Sequence, residues 1–264
     1  MTEAAISFVD ASGYERFMGR WSRAAARRFL QWINPQQGAR WLDVGCGTGV
    51  LAEAVLEHCA PASLMAVDLA AAQVQQASHA VNDGRAYFQQ ADAMRLPFAD
   101  GSFDYTASAL VINFISDPLR AVAEMRRVTV RSGTVGCFVW DFGRELSPSG
   151  PLRQGMRTFG AEVPDVPGTM HANVAVLHSL FVGAGLQAIE SQIIDVTLSY
   201  ANFDDFWNAQ TPDYSPTTKI INAMSEDDRR RLKRAVHEAL PTDVHGKIEY
   251  SARANAIRAN VLRA

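Results

Sequence analysis

The apolar positions of this chain change rhythm several times, and each change marks an element. From Tyr14 onward Phe17, Trp21, Ala24, Ala25 and Phe29 recur at helical spacing, with Arg16, Arg20, Arg23 and Arg27 between them. That period predicts an amphipathic helix whose aromatic stripe must be buried on something. Residues 1–13 ahead of it read as a polar, loosely ordered lead. An apolar run, Ala39-Arg40-Trp41-Leu42-Asp43-Val44, reads as a strand, and a helix-forming segment follows from Thr48 to about His58. Ser63–Val67 reads as a second strand and ends in Asp68; a helix then runs through roughly Asn82. Ala86–Gln90 is a third strand and Phe103–Ala109 a fourth. Asp117-Pro118 supplies an N-cap and a first-turn proline for a helix to about Val130. Past Gly133, a β-branched and aromatic strand spans Thr134–Trp140. Strands alternating with helices in this way predict an α/β fold built on a parallel sheet.

Beyond Asp141 the rhythm loosens. Residues 143–170 hold several prolines and glycines and read as a partly irregular insertion. Ala172–Val182 looks helical and leads through Gly183-Ala184-Gly185 to a strand, Ala188–Ser199. Ser225 with Asp228 resembles a capping box, opening a helix to Leu240 that stops at Pro241; the last strand is about Ile248–Arg258. The chain therefore divides into an N-terminal lid or cap helix (1–35), a core (36–142), and insertions with the final strands of the same domain (143–264).

The sharpest local feature is Gly45-Cys46-Gly47-Thr48-Gly49, set between the first strand and the first core helix. Glycines there let a ligand approach the backbone and allow dihedrals that a Cβ forbids. The helix that follows points unpaired N–H groups at whatever sits above the turn. A dinucleotide fingerprint places its third glycine where this chain has Val50, and a P-loop needs a lysine that this chain carries only at positions 219, 233 and 247. Asp68 follows Gly49 by 19 residues at the end of strand two, a place from which a carboxylate accepts both hydroxyls of a ribose. An acid there repels a ribose 2′-phosphate.

Composition narrows the partners. A net charge of −3 gives no global attraction to nucleic acid or to an anionic membrane. The basic runs Arg126-Arg127 and Arg229-Arg230-Arg231 read as solvated helix faces. Cys46, Cys59 and Cys137 are odd in number and fall in predicted core elements, as expected of reduced thiols. No His/Cys grouping has metal-ligand spacing, so no metal is expected. The N-terminus shows no basic-then-apolar signal pattern, and no apolar run reaches membrane-spanning length. A cytoplasmic protein is expected, with no nucleic-acid or membrane partner; a homodimer is compatible with the sequence.

Residues 41–51 closely resemble motif I of the class I S-adenosylmethionine-dependent methyltransferases. Leu96-Pro97-Phe98, Gly101-Ser102-Phe103-Asp104 and Glu124-Met125-Arg126-Arg127-Val128 are similar to the ubiquinone/menaquinone-biosynthesis-like branch, methyltransferase type 11. The resemblance is specific over about 36–142 and rests on element order from 143 onward. It implies a Rossmann-like, seven-stranded, mostly parallel sheet with an antiparallel last strand, helices on both faces and helical lid insertions. It implies S-adenosylmethionine as cofactor, held by Gly45, Gly47 and Gly49, with Asp68 on the ribose and Leu69 beside it. Asp92 would take the adenine amino group and the Ala93 N–H a ring nitrogen. Asp43 would accept backbone N–H bonds from the glycine turn or lie close to the methionine moiety, with Ser108 and Asn113 beside the sulfonium. The string around Tyr14 and Arg20 is similar to a segment that forms part of the cofactor lid.

The implied activity is transfer of a methyl group to an oxygen, nitrogen or carbon of a small, apolar or aromatic acceptor. Positioning supplies most of such a rate, on the order of 7–11 kcal/mol. No catalytic residue is fixed by the sequence; Asp141, His171 and Tyr214 are candidates for a base. Trp140, Phe142, Phe159 and Trp207 are candidates to line an acceptor pocket, or else core. An NAD-dependent oxidoreductase is the first alternative, against which Val50 speaks. A non-catalytic S-adenosylmethionine-binding protein is the second.

Overall fold

A computed structural model describes residues 15–261. Tyr14 lies outside the described residues, so its expected place over the cofactor has no structural account. A π-helical turn, Glu15–Gly19, leads into helix α1 (Arg20–Ile33). There follow β1 (Arg40–Val44), α2 (Val50–His58), β2 (Ser63–Asp68), α3 (Ala71–Ala80), β3 (Ala86–Gln90) and β4 (Phe103–Ala109). A 3-10 turn (Ile112–Phe114), α4 (Pro118–Val128), β5 (Thr129–Trp140), α5 (Gly150–Phe159) and a second 3-10 turn (Thr169–Ala172) come next. The chain continues through α6 (Val174–Gly183), β6 (Gln187–Tyr200), α7 (Phe203–Gln210), α8 (Pro216–Ala223), α9 (Glu226–Ala239) and β7 (Ile248–Asn260).

The strands form one seven-stranded sheet in the order β3-β2-β1-β4-β5-β7-β6. β1 to β5 pair in parallel, and β7 runs antiparallel to both β5 and β6. The strand order reverses between β1 and β4, which makes the carboxyl ends of those two strands the crevice where open α/β sheets bind ligands. One core lies on the face of Trp41, Phe138, Trp140 and the stripe Trp21-Ala25-Phe29 of α1. The other lies on the face of Leu42, Val44, Val135 and Val139, under α4 and α6. The arginine-flanked stripe of α1 is buried as its period predicts, with Trp21 and Phe29 fully enclosed.

Two sequence expectations need correction. Helix α4 ends at Val128 rather than Val130, and β5 begins at Thr129 rather than Thr134. Thr129 pairs with Phe103, the register then slips, and Thr134 pairs with Tyr105. Gly133 permits the bulge because a Cβ there would lie 2.6 Å from the Asp104 carbonyl oxygen. The loosely patterned stretches also hold more helix than their composition predicts: α5 in the first, and α7 and α8 after β6. Each is short and begins on a local start signal: Pro151 at the head of α5, Pro216 opening α8, and Asn202 accepting the Asp205 N–H at 2.9 Å ahead of α7. Ser225 caps α9 as expected, its hydroxyl accepting the Asp228 N–H at 3.1 Å.

Candidate active site

The turn between β1 and α2 owes its shape to glycine at three positions. Gly45, Gly47 and Gly49 take φ of +78°, +52° and +96°, a region where a Cβ is strained. A Cβ on Gly45 would also meet Val111 at 2.5 Å, whereas one on Gly47 would meet nothing within 4 Å. Gly45 therefore packs the turn against the segment after β4, and Gly47 faces open space where a ligand has room. Gly49 caps α2. The Gly45 and Cys46 N–H groups both donate to the Val67 carbonyl at 2.7 and 2.9 Å.

Asp68, at the end of β2, holds this turn in place. Its carboxylate accepts the Gly47 N–H at 2.9 Å and, through the other oxygen, the Ala70 N–H at 2.9 Å. The second contact is an Asx turn ahead of α3, whose N-cap is Ala70, and the first ties the group to the glycine turn; half-buried, the carboxylate keeps lone pairs open to a ligand. Leu69 beside it is 66 % exposed, an apolar side chain at the mouth. Asp68 pairs in register with Gln90, so β3 ends at the same height. Two residues on, Asp92 accepts the Met94 N–H at 2.8 Å, and both Asp92 and Ala93 are half-buried.

Sequence reasoning missed what fixes that β3–β4 loop. Arg127 donates to the Leu96 and Phe98 carbonyls at 3.0 and 2.7 Å and pairs with Glu124 and Asp100. Glu124 also accepts the Leu96 N–H at 2.9 Å. Hydrogen bonds that Arg127 donates to Glu124 and Asp100 raise its guanidinium above its ordinary value. Arg127 was expected on a solvated face; it instead clamps the loop carrying the Asp92 side of the site to α4. The signal was the acid–base pair at a spacing of three, which places both groups on one helix face.

Asp43 departs from the first of the two places expected for it, acceptance of the turn's N–H bonds. It is 1 % exposed, and neither carboxylate oxygen has a hydrogen-bond partner. It does not tie down the glycine turn; Asp68 and the Val67 carbonyl do. Burial and the Asp68 charge push its carboxyl up to about 8, against a weaker pull from the nearby Ala52 backbone N–H, which does not reach hydrogen-bond geometry.

Further unpartnered polar atoms lie at the carboxyl end of β4. Ser108 Oγ is buried there, one residue along from Ala107, the partner of Asp43 across the β1–β4 pair. Asn113, in the 3-10 turn after β4, donates from Nδ2 to the Pro167 carbonyl at 3.2 Å, while its Oδ1 is buried without a partner. A Cβ on Gly168 would fall onto the Asn113 carbonyl, so the 160–171 segment lies directly on this turn. His171 follows on the second 3-10 turn with Nδ1 buried and unpartnered. The next residue, Ala172, accepts a hydrogen bond from Asn255 of β7 at 2.9 Å, and Asn255 pairs with Val139 of β5. His171 is thereby carried over the carboxyl ends of β4 and β5. Asp141, just past β5, is buried and accepts the Arg144 N–H at 3.3 Å.

Arg20 goes elsewhere: its guanidinium donates to the Ser199 carbonyl at 3.1 Å and lies 5.6 Å from the Tyr200 ring centre. These contacts commit it to edge strand β6. Trp140 and Trp207 are buried in the core rather than lining an open wall, while Phe142 and Phe159 are half-buried against it. Trp21 donates to the Tyr200 hydroxyl at 3.0 Å, and Tyr250 donates to the Pro148 carbonyl at 2.7 Å. Among the described residues no group of three or more His, Cys, Asp or Glu side chains is arranged to hold a metal ion, and no helix is long and apolar enough to cross a membrane. Open space at Gly47, an exposed Leu69, carboxylates at the ends of β2 and β3, and orphaned polar atoms at β1 and β4 fit an adenosyl ligand with a polar amino-acid tail.

Comparison with known proteins agrees with that fit. Residues 42–137 match the family model described as a methyltransferase domain. The chain is 32% identical over 104 residues to a demethylmenaquinone methyltransferase of Roseiflexus, covering 39% of this chain and 44% of that protein. It is 36% identical over 126 residues to a malonyl-[acyl-carrier protein] O-methyltransferase of Geobacter sulfurreducens, covering 46% and 45%. It thus spans less than half the length of these relatives. A phosphoethanolamine N-methyltransferase of Haemonchus contortus, solved with phosphomonomethylethanolamine and S-adenosylhomocysteine, superposes with a TM-score of 0.57 at 17% identity, covering 96% of this chain and 57% of that one. At that identity the likeness shows the fold alone. The matched segment, residues 42–137, carries the glycine turn and the β1–β4 switch point and is similar to a methyltransferase domain.

Proposed function

We propose that the chain is an S-adenosylmethionine-dependent methyltransferase acting on an oxygen, nitrogen or carbon atom of a small acceptor. The observation that carries this is the glycine turn at the β1–β4 switch point, with Asp68 holding the Gly47 N–H at 2.9 Å and free lone pairs beside it. Asp68 would hold the ribose, Leu69 and Ala93 would flank the adenine, and Asp92 would read its amino group. Val50, standing where a dinucleotide fingerprint places its third glycine, speaks against NAD.

When bound, S-adenosylmethionine supplies a methyl group already activated on a sulfonium, so the chain's task is to position the acceptor and exclude water. Strand order runs the adenosine side toward β2 and β3, which leaves the acceptor over β4 and β5. Ser108, Asn113, Asp141 and His171 are polar groups there. His171 Nδ1 would take the proton that an acceptor hydroxyl or amine loses on methylation. The relatives act, by their names, on demethylmenaquinone and on a malonyl group carried by an acyl-carrier protein.

The test is transfer of label from methyl-tritiated S-adenosylmethionine to a panel of phenols, quinols, carboxylic acids and amines, with Asp68→Ala as control. Label transfer that Asp68→Ala abolishes supports the assignment. Tight cofactor binding with no transfer to any class would favour the non-catalytic reading.

A further inference from the structure

Arg153, on α5, is a buried cation whose carboxylate-binding edge has no partner. Its side chain is 10% exposed. Nη1 donates to the Pro164 carbonyl at 2.8 Å, the single hydrogen bond that this guanidinium makes among the described residues. Nε lies 3.7 Å from Glu145, beyond hydrogen-bonding reach. Two other arginines show what the same edge does when filled. Arg253 grips Asp195 through Nε and Nη2 at 2.8 and 3.0 Å, and Arg40 grips Asp104 through the same two atoms at 3.1 and 2.9 Å. In Arg153 that pair of donors stands open. The fixed fork of a guanidinium fits a carboxylate, and buried donors are seldom left unserved.

The acid closest to the fork is engaged elsewhere. Glu145 pairs with Arg157, one helical turn along from Arg153. Its backbone has φ of +56°, a conformation that strains a residue other than glycine and persists only where the surroundings enforce it. Its N–H donates to the Phe142 carbonyl at 3.1 Å, and a Cβ on Gly150 would fall onto its own carbonyl. The charged groups acting on Arg153 are Glu145, Arg157 and the exposed Asp165; burial, the largest influence, holds the guanidinium below its ordinary value. A further anion would oppose that shift.

Arg153 is lodged on the side where strand order leaves the acceptor. Glu145 belongs to the turn by which the chain leaves β5, where the Leu146 N–H donates to the Asp141 carbonyl at 3.0 Å. Pro164 belongs to the segment packed on the turn after β4, where the Pro167 carbonyl accepts Asn113 Nδ2 at 3.2 Å. Three residues, at most about 11 Å of chain, separate the carbonyl held by Arg153 from the one held by Asn113.

We propose that Arg153 is a specificity residue whose open Nε–Nη2 edge holds a carboxylate of the methyl acceptor. The acceptor is then a small apolar or aromatic acid, bound through its carboxylate and methylated at another atom, and no bond to Arg153 forms or breaks. This rests on the S-adenosylmethionine reading of the site and deepens it by naming the charge of the acceptor.

The test is calorimetric titration of the full chain, loaded with S-adenosylhomocysteine, with two sets of probes: benzoate, benzamide and benzylamine, and hexanoate, hexanamide and hexylamine. The acid of at least one set should bind about tenfold or more tightly than its amide, as a charge-assisted hydrogen bond supplies, and the amine most weakly. Arg153→Gln should remove the advantage of the acid while the affinities for the amide and for S-adenosylhomocysteine stay unchanged. Arg153→Lys, a point charge without the fork, should restore part of it. Equal binding of acid and amide in both sets, or an acid advantage that survives in Arg153→Gln, would overturn the proposal. So would equal losses for all probes in that variant, which would mark Arg153 as structural, or a preference for the amines, which would point to Asp141. Should Arg153→Gln fail to fold, the acid-to-amide ratio in wild type and in Arg153→Lys still decides. Failure of S-adenosylhomocysteine to bind the wild-type chain would instead remove the reading on which the proposal rests.

Discussion

At the scale of single residues, the two carboxylates under the glycine turn do opposite work. Asp68 is satisfied by backbone N–H groups of the turn and of the α3 approach. Asp68→Ala is expected to cost stability as well as binding, about 1–3 kcal/mol for the stranded donors, and to weaken S-adenosylmethionine at least tenfold. Asp104→Ala removes the ion pair with Arg40, whose side chains are 46% and 34% exposed. It should cost no more than about 1 kcal/mol and leave cofactor affinity unchanged; calorimetry on the two variants separates them, and equal losses of affinity would refute the ribose assignment. Asp43 costs stability. An unfolded aspartate titrates near 4, and the folded one is pushed up to about 8, so the protonated form is the one folding favours. The stability it contributes is complete below pH 4 and is lost as pH rises toward 8. Asp43→Asn should therefore gain on the wild type through that window, by on the order of a few kcal/mol at pH 8. Urea unfolding at pH 4, 6 and 8 checks the sign, and a difference constant with pH would show that burial does not shift this group.

At the scale of elements, the segment from 160 to 171 packs on the 3-10 turn that follows β4. Its closest approach is Gly168, with φ of +63° and no room for a Cβ against the Asn113 carbonyl. Gly168→Ala should loosen this segment without unfolding the sheet. Hydrogen exchange would then show faster amides across 167–172, with those of β1 and β4 unchanged; matching protection in both proteins would mean that the segment can shift at no cost. Addition of the demethylated cofactor should slow exchange in 45–49 and 167–172 together. The N-terminal helix buries its aromatic stripe, as expected, and is built into the core through Trp21, which meets Tyr200, Tyr250 and Trp140. Its amides from Arg20 to Ile33 should be protected with or without ligand. This restricts a mobile cover to shorter segments.

At the scale of the whole molecule, ligand binding should appear as stability. S-adenosylmethionine or its demethylated product at about 100 times its dissociation constant should stabilise the fold by roughly 2.7 kcal/mol. A thermal shift with NAD and none with either ligand would sink the assignment. Much of this molecule was legible in one dimension. The α/β alternation, the extents of β3 and β4, the capped starts of α4 and α9, and the glycine turn all follow from local rules. Hydrophobic period, N-caps and positive-φ glycines act over a few residues and are written where they act. Asp68 and Asp92 could be placed because strand ends in a parallel sheet fall at one edge. What the sequence left open was decided by contacts between residues far apart in the chain. The bulge that starts β5 at Thr129 depends on Asp104 across the sheet. The clamp of Arg127 on the β3–β4 loop depends on how α4 docks. The solitude of Asp43 depends on Asp68 taking the turn's N–H instead, and the site of His171 depends on Asn255, 84 positions away in sequence, holding Ala172. Burial and charge are sums over neighbours in space, and only the folded chain settles which neighbours those are.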